Sequence, residues 1–110
     1  MAILRRGRKQ RRGAGKRRRG TAEDTAHLER FIATRSGVEA FVEPQTTITD
    51  TTVLLVATDG EWTRRRVDGP AGAAAFAKRA QIPLYDVGVV GYPQRMREWN
   101  ARRKAEGAAE

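Results

Sequence analysis

Ten basic residues, Arg5, Arg6, Arg8, Lys9, Arg11, Arg12, Lys16, Arg17, Arg18 and Arg19, occupy the first twenty positions with no acid among them. The arginine side chain is a planar fork of donors that meets a phosphate in two parallel hydrogen bonds. Glycines at 7, 13, 15 and 20 let such a segment follow a curved polyanion without steric cost. This is the chemistry of nucleic-acid backbone binding, and Arg-rich, Gly-interrupted arms order on RNA. A competing reading takes the 18 arginines against 4 lysines of the whole chain as a coding bias.

A second basic set lies further on. With residues 61 to 67 as a strand, Trp62, Arg64 and Arg66 share one face and Thr63, Arg65 and Val67 the other, so one face is cationic and carries an aromatic. It reads as a solvated edge or as a ligand platform. In the last helix Arg95, Arg97, Arg102, Arg103 and Lys104 stand against Glu98 alone through residue 104, and Trp99 can stack a base or receive Arg95 or Arg103 over its ring. The alternative is that Tyr92, Met96 and Trp99, at i, i+4 and i+7, form a core stripe flanked by a solvated face. A folded part that binds RNA is expected to use Arg64, Arg65, Arg66, Arg95, Arg97, Trp99, Arg102 and Arg103. One that binds a protein is expected to use the Trp62 and Trp99 surfaces.

Catalytic patterns are weaker. Gly13-Ala14-Gly15-Lys16 lacks the earlier glycine and the following Ser or Thr of a phosphate loop, since Gln10 and Arg17 hold those places. His27 is the single histidine and could in principle be a base oriented by Asp24 at i−3, but a lone helical His beside Phe31 is far more often a flank of the core. Asp59, Asp86 and Glu98 have no spacing that pairs carboxylates. With no cysteine there is no thiolate nucleophile and no Cys-based metal site. The expectation is a non-enzymatic protein with no metal and no cofactor.

The elements that would carry these residues follow from periodicity. The 110 residues have a net charge of +9, of which residues 1 to 20 carry +10 and the remainder −1. Residues 1–20 are therefore expected to form a disordered arm, because like charges repel and nothing is there to bury. Residues 21–106 suffice for one core, and 107–110 are expected to fray. Glu23 and Asp24 suit a first helical turn, Leu28, Phe31 and Ile32 repeat at helical spacing, and Ser36-Gly37 ends the helix. Val38 to Glu43 alternates as a strand. Val53 to Thr58 is apolar on both faces, and Asp59-Gly60 is a hairpin turn whose residues both tolerate positive φ. Asp68-Gly69-Pro70 opens a second helix, with Ala73, Phe76, Ala77 and Ala80 facing the core. Ile82 to Val90, with Pro83 inside it, reads as a short edge strand, and Tyr92-Pro93 starts the last helix.

The order α-β-β-β-α-β-α predicts an α+β fold, a small two-layer sandwich with helices on a mainly antiparallel sheet. The longest apolar runs, Val53 to Ala57 and Ala73 to Ala77, are far short of a bilayer span, so a soluble protein with no membrane role is expected. The paired arginines of the arm lack the apolar segment of an export signal.

Over residues 22 to 80 the element order resembles that of a double-stranded-RNA-binding domain. That family has a basic cluster at the start of its second helix, whereas Gly69-Pro70-Ala71-Gly72-Ala73-Ala74 stands here. The runs Asp24 to Phe31, Asp59 to Arg66 and Val90 to Arg97 are similar to those of a family of small uncharacterised proteins from high-GC actinobacteria, some labelled oxidoreductase. This resemblance spans residues 24 to 104 and implies a bacterial cytoplasmic protein. The leading expectation is a cytoplasmic RNA-binding accessory protein, with ribosomal RNA as one candidate partner. The alternative is a protein-interaction or regulatory module with a generic polyanion tail, and the third is a small enzyme on the family label alone.

Overall fold

Thr21 sets the start of the first helix. In the computed structural model, which describes residues 19–109, Thr21 is extended and caps α1 (Ala22–Thr34). Its hydroxyl accepts from the Asp24 backbone N–H at 3.1 Å, and the Asp24 carboxylate accepts from the Thr21 N–H at 2.9 Å. This reciprocal box satisfies donors that a helix start otherwise leaves free. Leu28 and Phe31 are buried, with Ile32 packed beside them. Arg35 leaves the helix in an extended conformation, and Gly37 turns the chain with a φ of 64°, where a β-carbon would collide with the Thr58 hydroxyl. Of the predicted arm, only Arg19 and Gly20 fall within the described residues.

Strands β1 (Glu39–Glu43), β2 (Thr52–Val56), β3 (Trp62–Arg66) and β4 (Leu84–Asp86) form one sheet in the spatial order β3-β2-β1-β4. The β1–β2 and β2–β3 pairs are antiparallel, and β4 joins β1 in parallel after the chain crosses through α2 (Gly69–Ala80). At the β2–β3 turn only Gly60 takes positive φ, at 95°. Asp59 contributes instead through its carboxylate, which accepts from the Glu61 N–H at 3.0 Å. The expected edge strand over Ile82 to Val90 pairs only at Leu84–Asp86. Asp86 then accepts from the Gly88 N–H at 2.7 Å and starts the single turn α3 (Val87–Val90).

The class and order expected from the sequence hold: an α+β fold around a mainly antiparallel sheet. Val38, Ala40, Val53, Leu55 and Ala57 meet Leu28 and Phe31 of α1 and Ala73 and Phe76 of α2 on one face. The structure adds a second, smaller core on the opposite face. There Phe41, Leu54 and Val56 are covered by Met96 of α4 (Gln94–Ala109), with Trp62 at the side. A central strand apolar on both faces needs cover on both, and β2 obtains it from α1 and α2 on one side and α4 on the other. α4 continues to Ala109, past the Gly107 at which fraying was expected.

Candidate nucleic-acid interface

The first turns of α4 lie on the sheet and the rest extends away from it. Met96 is its buried anchor, 6% exposed. Arg95 donates from Nη2 to Glu39 Oε1 at 2.7 Å and from Nε to the Ala57 carbonyl at 3.0 Å. Trp62 Nε1 donates to Asn100 Oδ1 at 2.7 Å, and Arg102 Nη2 to the Asp59 carbonyl at 2.8 Å. Gly60 allows this closeness, since a β-carbon there would collide with the Arg95 carbonyl oxygen and crowd Trp99. Residues 101–107 are exposed on every side. Trp99 is half-buried at the point of departure, with the guanidinium carbons of Arg102 and Arg103 each 5.7 Å from its ring centroid.

At the other end of β1, Glu43 gathers four donors. Arg64 reaches it in a fork, Nε to Oε1 and Nη2 to Oε2, both at 2.8 Å. Tyr92 OH donates to Oε2 at 2.6 Å and Thr52 Oγ1 to Oε1 at 2.7 Å. Partial burial pushes the Glu43 carboxyl up, but the bonds from Arg64, Tyr92 and Thr52 outweigh it and hold the group below its usual value. The same bond to Glu43 raises Tyr92 and Arg64. The Arg64 guanidinium also stands 5.1 Å from the Trp62 ring centroid, so its plane is held from two sides. A cleft of about 600 Å³ opens beside this cluster, between the β1–β2 loop and Tyr92.

On the α1 side of β3 a different seam forms. Arg65 Nη2 lies 3.3 Å from His27 Nδ1 and Arg65 Nη1 lies 3.6 Å from Asp24. Because a guanidinium only donates, Nδ1 must accept, and the ring proton sits on Nε2, which donates to Thr63 Oγ1 at 2.5 Å. His27 is thereby neutral, and burial together with the nearby Arg65 and Arg30 holds its pKa down. Among the described residues no three His, Asp or Glu side chains stand together as a metal site.

The residues expected to contact nucleic acid are thus dispersed. Arg5, Arg6, Arg8, Lys9, Arg11, Arg12, Lys16, Arg17 and Arg18 lie outside the described residues. Arg19 is exposed, 3.5 Å from Asp68. Arg64 and Arg95 are paired with Glu43 and Glu39 on the α4 face, whereas Arg65 turns to α1. Arg66 has its Nε buried with no partner among the described residues. Arg97 donates to the Tyr92 carbonyl at 2.7 Å and remains exposed. Trp99, Arg102 and Arg103 come together on the projecting part of α4. The Tyr92-Met96-Trp99 stripe divides: Met96 is core, Tyr92 serves Glu43, and Trp99 covers the turn at Gly60.

No family model, no curated protein and no solved structure matches this chain. The arrangement must therefore be read from its own residues. Sequence reasoning did not single out Glu39, Glu43 or Asn100, the three groups that hold Arg95, Arg64 and Trp62. A signal was present: Glu39 and Glu43 share a strand face with the apolar Phe41, and buried-side carboxylates need cationic partners.

Proposed function

We propose that this chain is a non-enzymatic RNA-binding accessory protein in which the N-terminal arm supplies salt-sensitive affinity and the folded part sets position. Ribosomal RNA is one candidate partner. The observation that carries this reading is the partition of charge, +10 on residues 1 to 20 against −1 on the rest. An uncompensated run of that density attracts phosphate with little regard to sequence. The folded part supports a narrower role. Arg64, Arg95 and Arg35 are paired with Glu43, Glu39 and Glu61, so they are poor candidates for a phosphate. Arg97, Arg102, Arg103 and Lys104 have no carboxylate partner among the described residues and are exposed along α4, with Arg102 and Arg103 beside Trp99.

The test is binding of labelled single-stranded RNA, duplex RNA and duplex DNA across a salt series, using the full chain and two full-length variants. In one, Arg5, Arg6, Arg8, Arg11, Arg12, Arg17 and Arg18 become glutamine; in the other, Arg97 and Arg103 do. The logarithm of affinity is expected to fall with the logarithm of salt by roughly 0.7 to 0.9 per phosphate engaged. The first variant should lose most of that slope and the second part of it, with RNA preferred over DNA. Arm-independent affinity would refute the proposal.

A second reading, a protein-interaction module, is favoured by a different observation. Val89 and Val90 are 83% and 55% exposed, next to the edge strand β4. It predicts that Val89→Ser abolishes an association that survives nuclease.

A further inference from the structure

The cleft beside Glu43 is a separate feature from the charge of the arm. Its volume of about 600 Å³ lies within the range of small-ligand sites. One wall carries the ring of Tyr92, 39% exposed, and the guanidinium plane of Arg64. Both are fixed in orientation by the same Glu43 carboxylate, through bonds of 2.6 and 2.8 Å. Pro44 and Val87 add apolar surface. Gln45 at the rim is exposed and has no hydrogen-bond partner among the described residues. A free amide offers one donor group and one acceptor side by side, the pattern that matches a base edge.

Position supplies the second argument. A neighbouring hollow of about 340 Å³ is lined by Arg19, the first described residue after the basic run, and shares Gln45 and Asp50 with the cleft. Arg19 therefore stands in a hollow that adjoins the cleft, so a strand with a phosphate at Arg19 lies near the cleft's opening. A flat group with one aromatic face, presented by a polyanionic strand, matches a rigid Tyr ring, a cationic plane and a free amide. A base stacked inside a duplex cannot enter.

From this convergence we infer that the cleft between Tyr92 and Gln45 seats one unpaired base of the RNA strand that the arm binds. The inference rests on the RNA-binding reading of the arm. It makes the preferred partner single-stranded or looped RNA, with Tyr92 as the stacking platform, Gln45 as the edge reader and Glu43 as the group that positions Tyr92 and Arg64.

Three substitutions in the full chain test it, each read by anisotropy of labelled single-stranded RNA, single-stranded DNA and duplex RNA. Tyr92→Ala removes the platform and is expected to weaken single-strand binding about tenfold, the lower part of what one stacked base contributes. Duplex RNA binding should not change. Tyr92→Phe keeps the ring and is expected to retain most of the affinity. Gln45→Ala touches no hydrogen bond among the described residues, so the fold is left intact, and it should weaken single-strand binding by roughly threefold to tenfold while changing the preference among bases. Melting curves confirm that each variant is folded. Equal losses for single and double strands, or unchanged affinity in both Tyr92→Ala and Gln45→Ala, overturn the inference. A preference of the wild-type cleft for single-stranded DNA overturns the assignment to RNA. The arm-neutralised chain separates the two levels: if it alone loses affinity while the cleft variants do not, the arm reading stands and the cleft inference falls. If it keeps full affinity, the functional reading itself falls.

Discussion

Met96→Ala isolates the second core. Met96 is 6% exposed and, among the described residues, is the one α4 side chain buried with Phe41, Leu54 and Val56. Truncation removes the equivalent of about three methylene groups, or roughly 2.4 kcal/mol of transfer free energy at ~0.8 each. The cavity adds to this, but the site lies under a single helix near the surface and can partly collapse, so the total is expected near 3 kcal/mol, in the lower half of the ~2 to 5 kcal/mol range for such changes. For a folded part of this size that is a fall in melting temperature of about 10 to 20 °C. The assay is urea unfolding followed by tryptophan emission, because Trp62 and Trp99 both sit in the seam that Met96 holds. Emission in the native baseline should shift to the red, as α4 loosens and both indoles gain solvent. Met96→Leu, which conserves volume, serves as the control and should cost less than about 1.5 kcal/mol. A Met96→Ala variant with wild-type stability and unchanged emission would show that α4 is not docked on the sheet, and the account of the second core would be wrong.

Other expectations can be checked on the same material. Glu43→Gln leaves Arg64 with a neutral partner and should cost about 1.5 to 3 kcal/mol in urea unfolding near neutral pH, the range for hydrogen bonds to charged groups, with the lower end expected because Arg64 is partly exposed. Since the folded Glu43 is held below its usual value, its stabilisation is present above 4.5 and lost as pH falls through the folded value; the variant should therefore show a flatter acid limb. For His27 the sign is also toward acid loss. The folded ring is lowered from 6.5, the unfolded chain takes up the proton first, and stability should decline as pH drops below 6.5 towards the folded value. His27→Gln should flatten urea midpoints between pH 7.5 and pH 5.5, and an unaltered slope in that variant would contradict the lowered folded value of His27. Asp24→Ala removes the capping box, whose loss should cost about 1 to 2 kcal/mol by thermal melt. Gly60→Ala forces a β-carbon against the Arg95 carbonyl at a positive φ, and tryptophan emission should report displacement of α4.

Much of the fold was legible because its signals are local. The Thr21 to Asp24 start of α1, the alternation of β1, the hairpin at Gly60 and the proline at the head of α2 each depend on residues within a few positions of one another. Even the second core left a trace, in the two apolar faces of Val53 to Val56 and the Met96 stripe. What local signals did not show is which face α4 would cover and how long β4 would be. Pairing at β4 ends at Asp86, whose carboxylate caps the Gly88 N–H as the chain turns into α3.

The candidate interface divides in the same way. The arm's charge is a property of composition, and its attraction to polyanions follows without a fold, because Coulomb forces need only a run of like charge. The roles of the other arginines were decided by tertiary structure alone. Arg64 meets Glu43 across 21 positions, and Arg95 meets Glu39 across 56. Three adjacent arginines on β3 look equivalent in the sequence, yet strand alternation sends Arg64 to the α4 face and Arg65 to His27 and Asp24. A cation's availability depends on whether packing brings a carboxylate to it, and that is set by the approach of distant elements rather than by residue type.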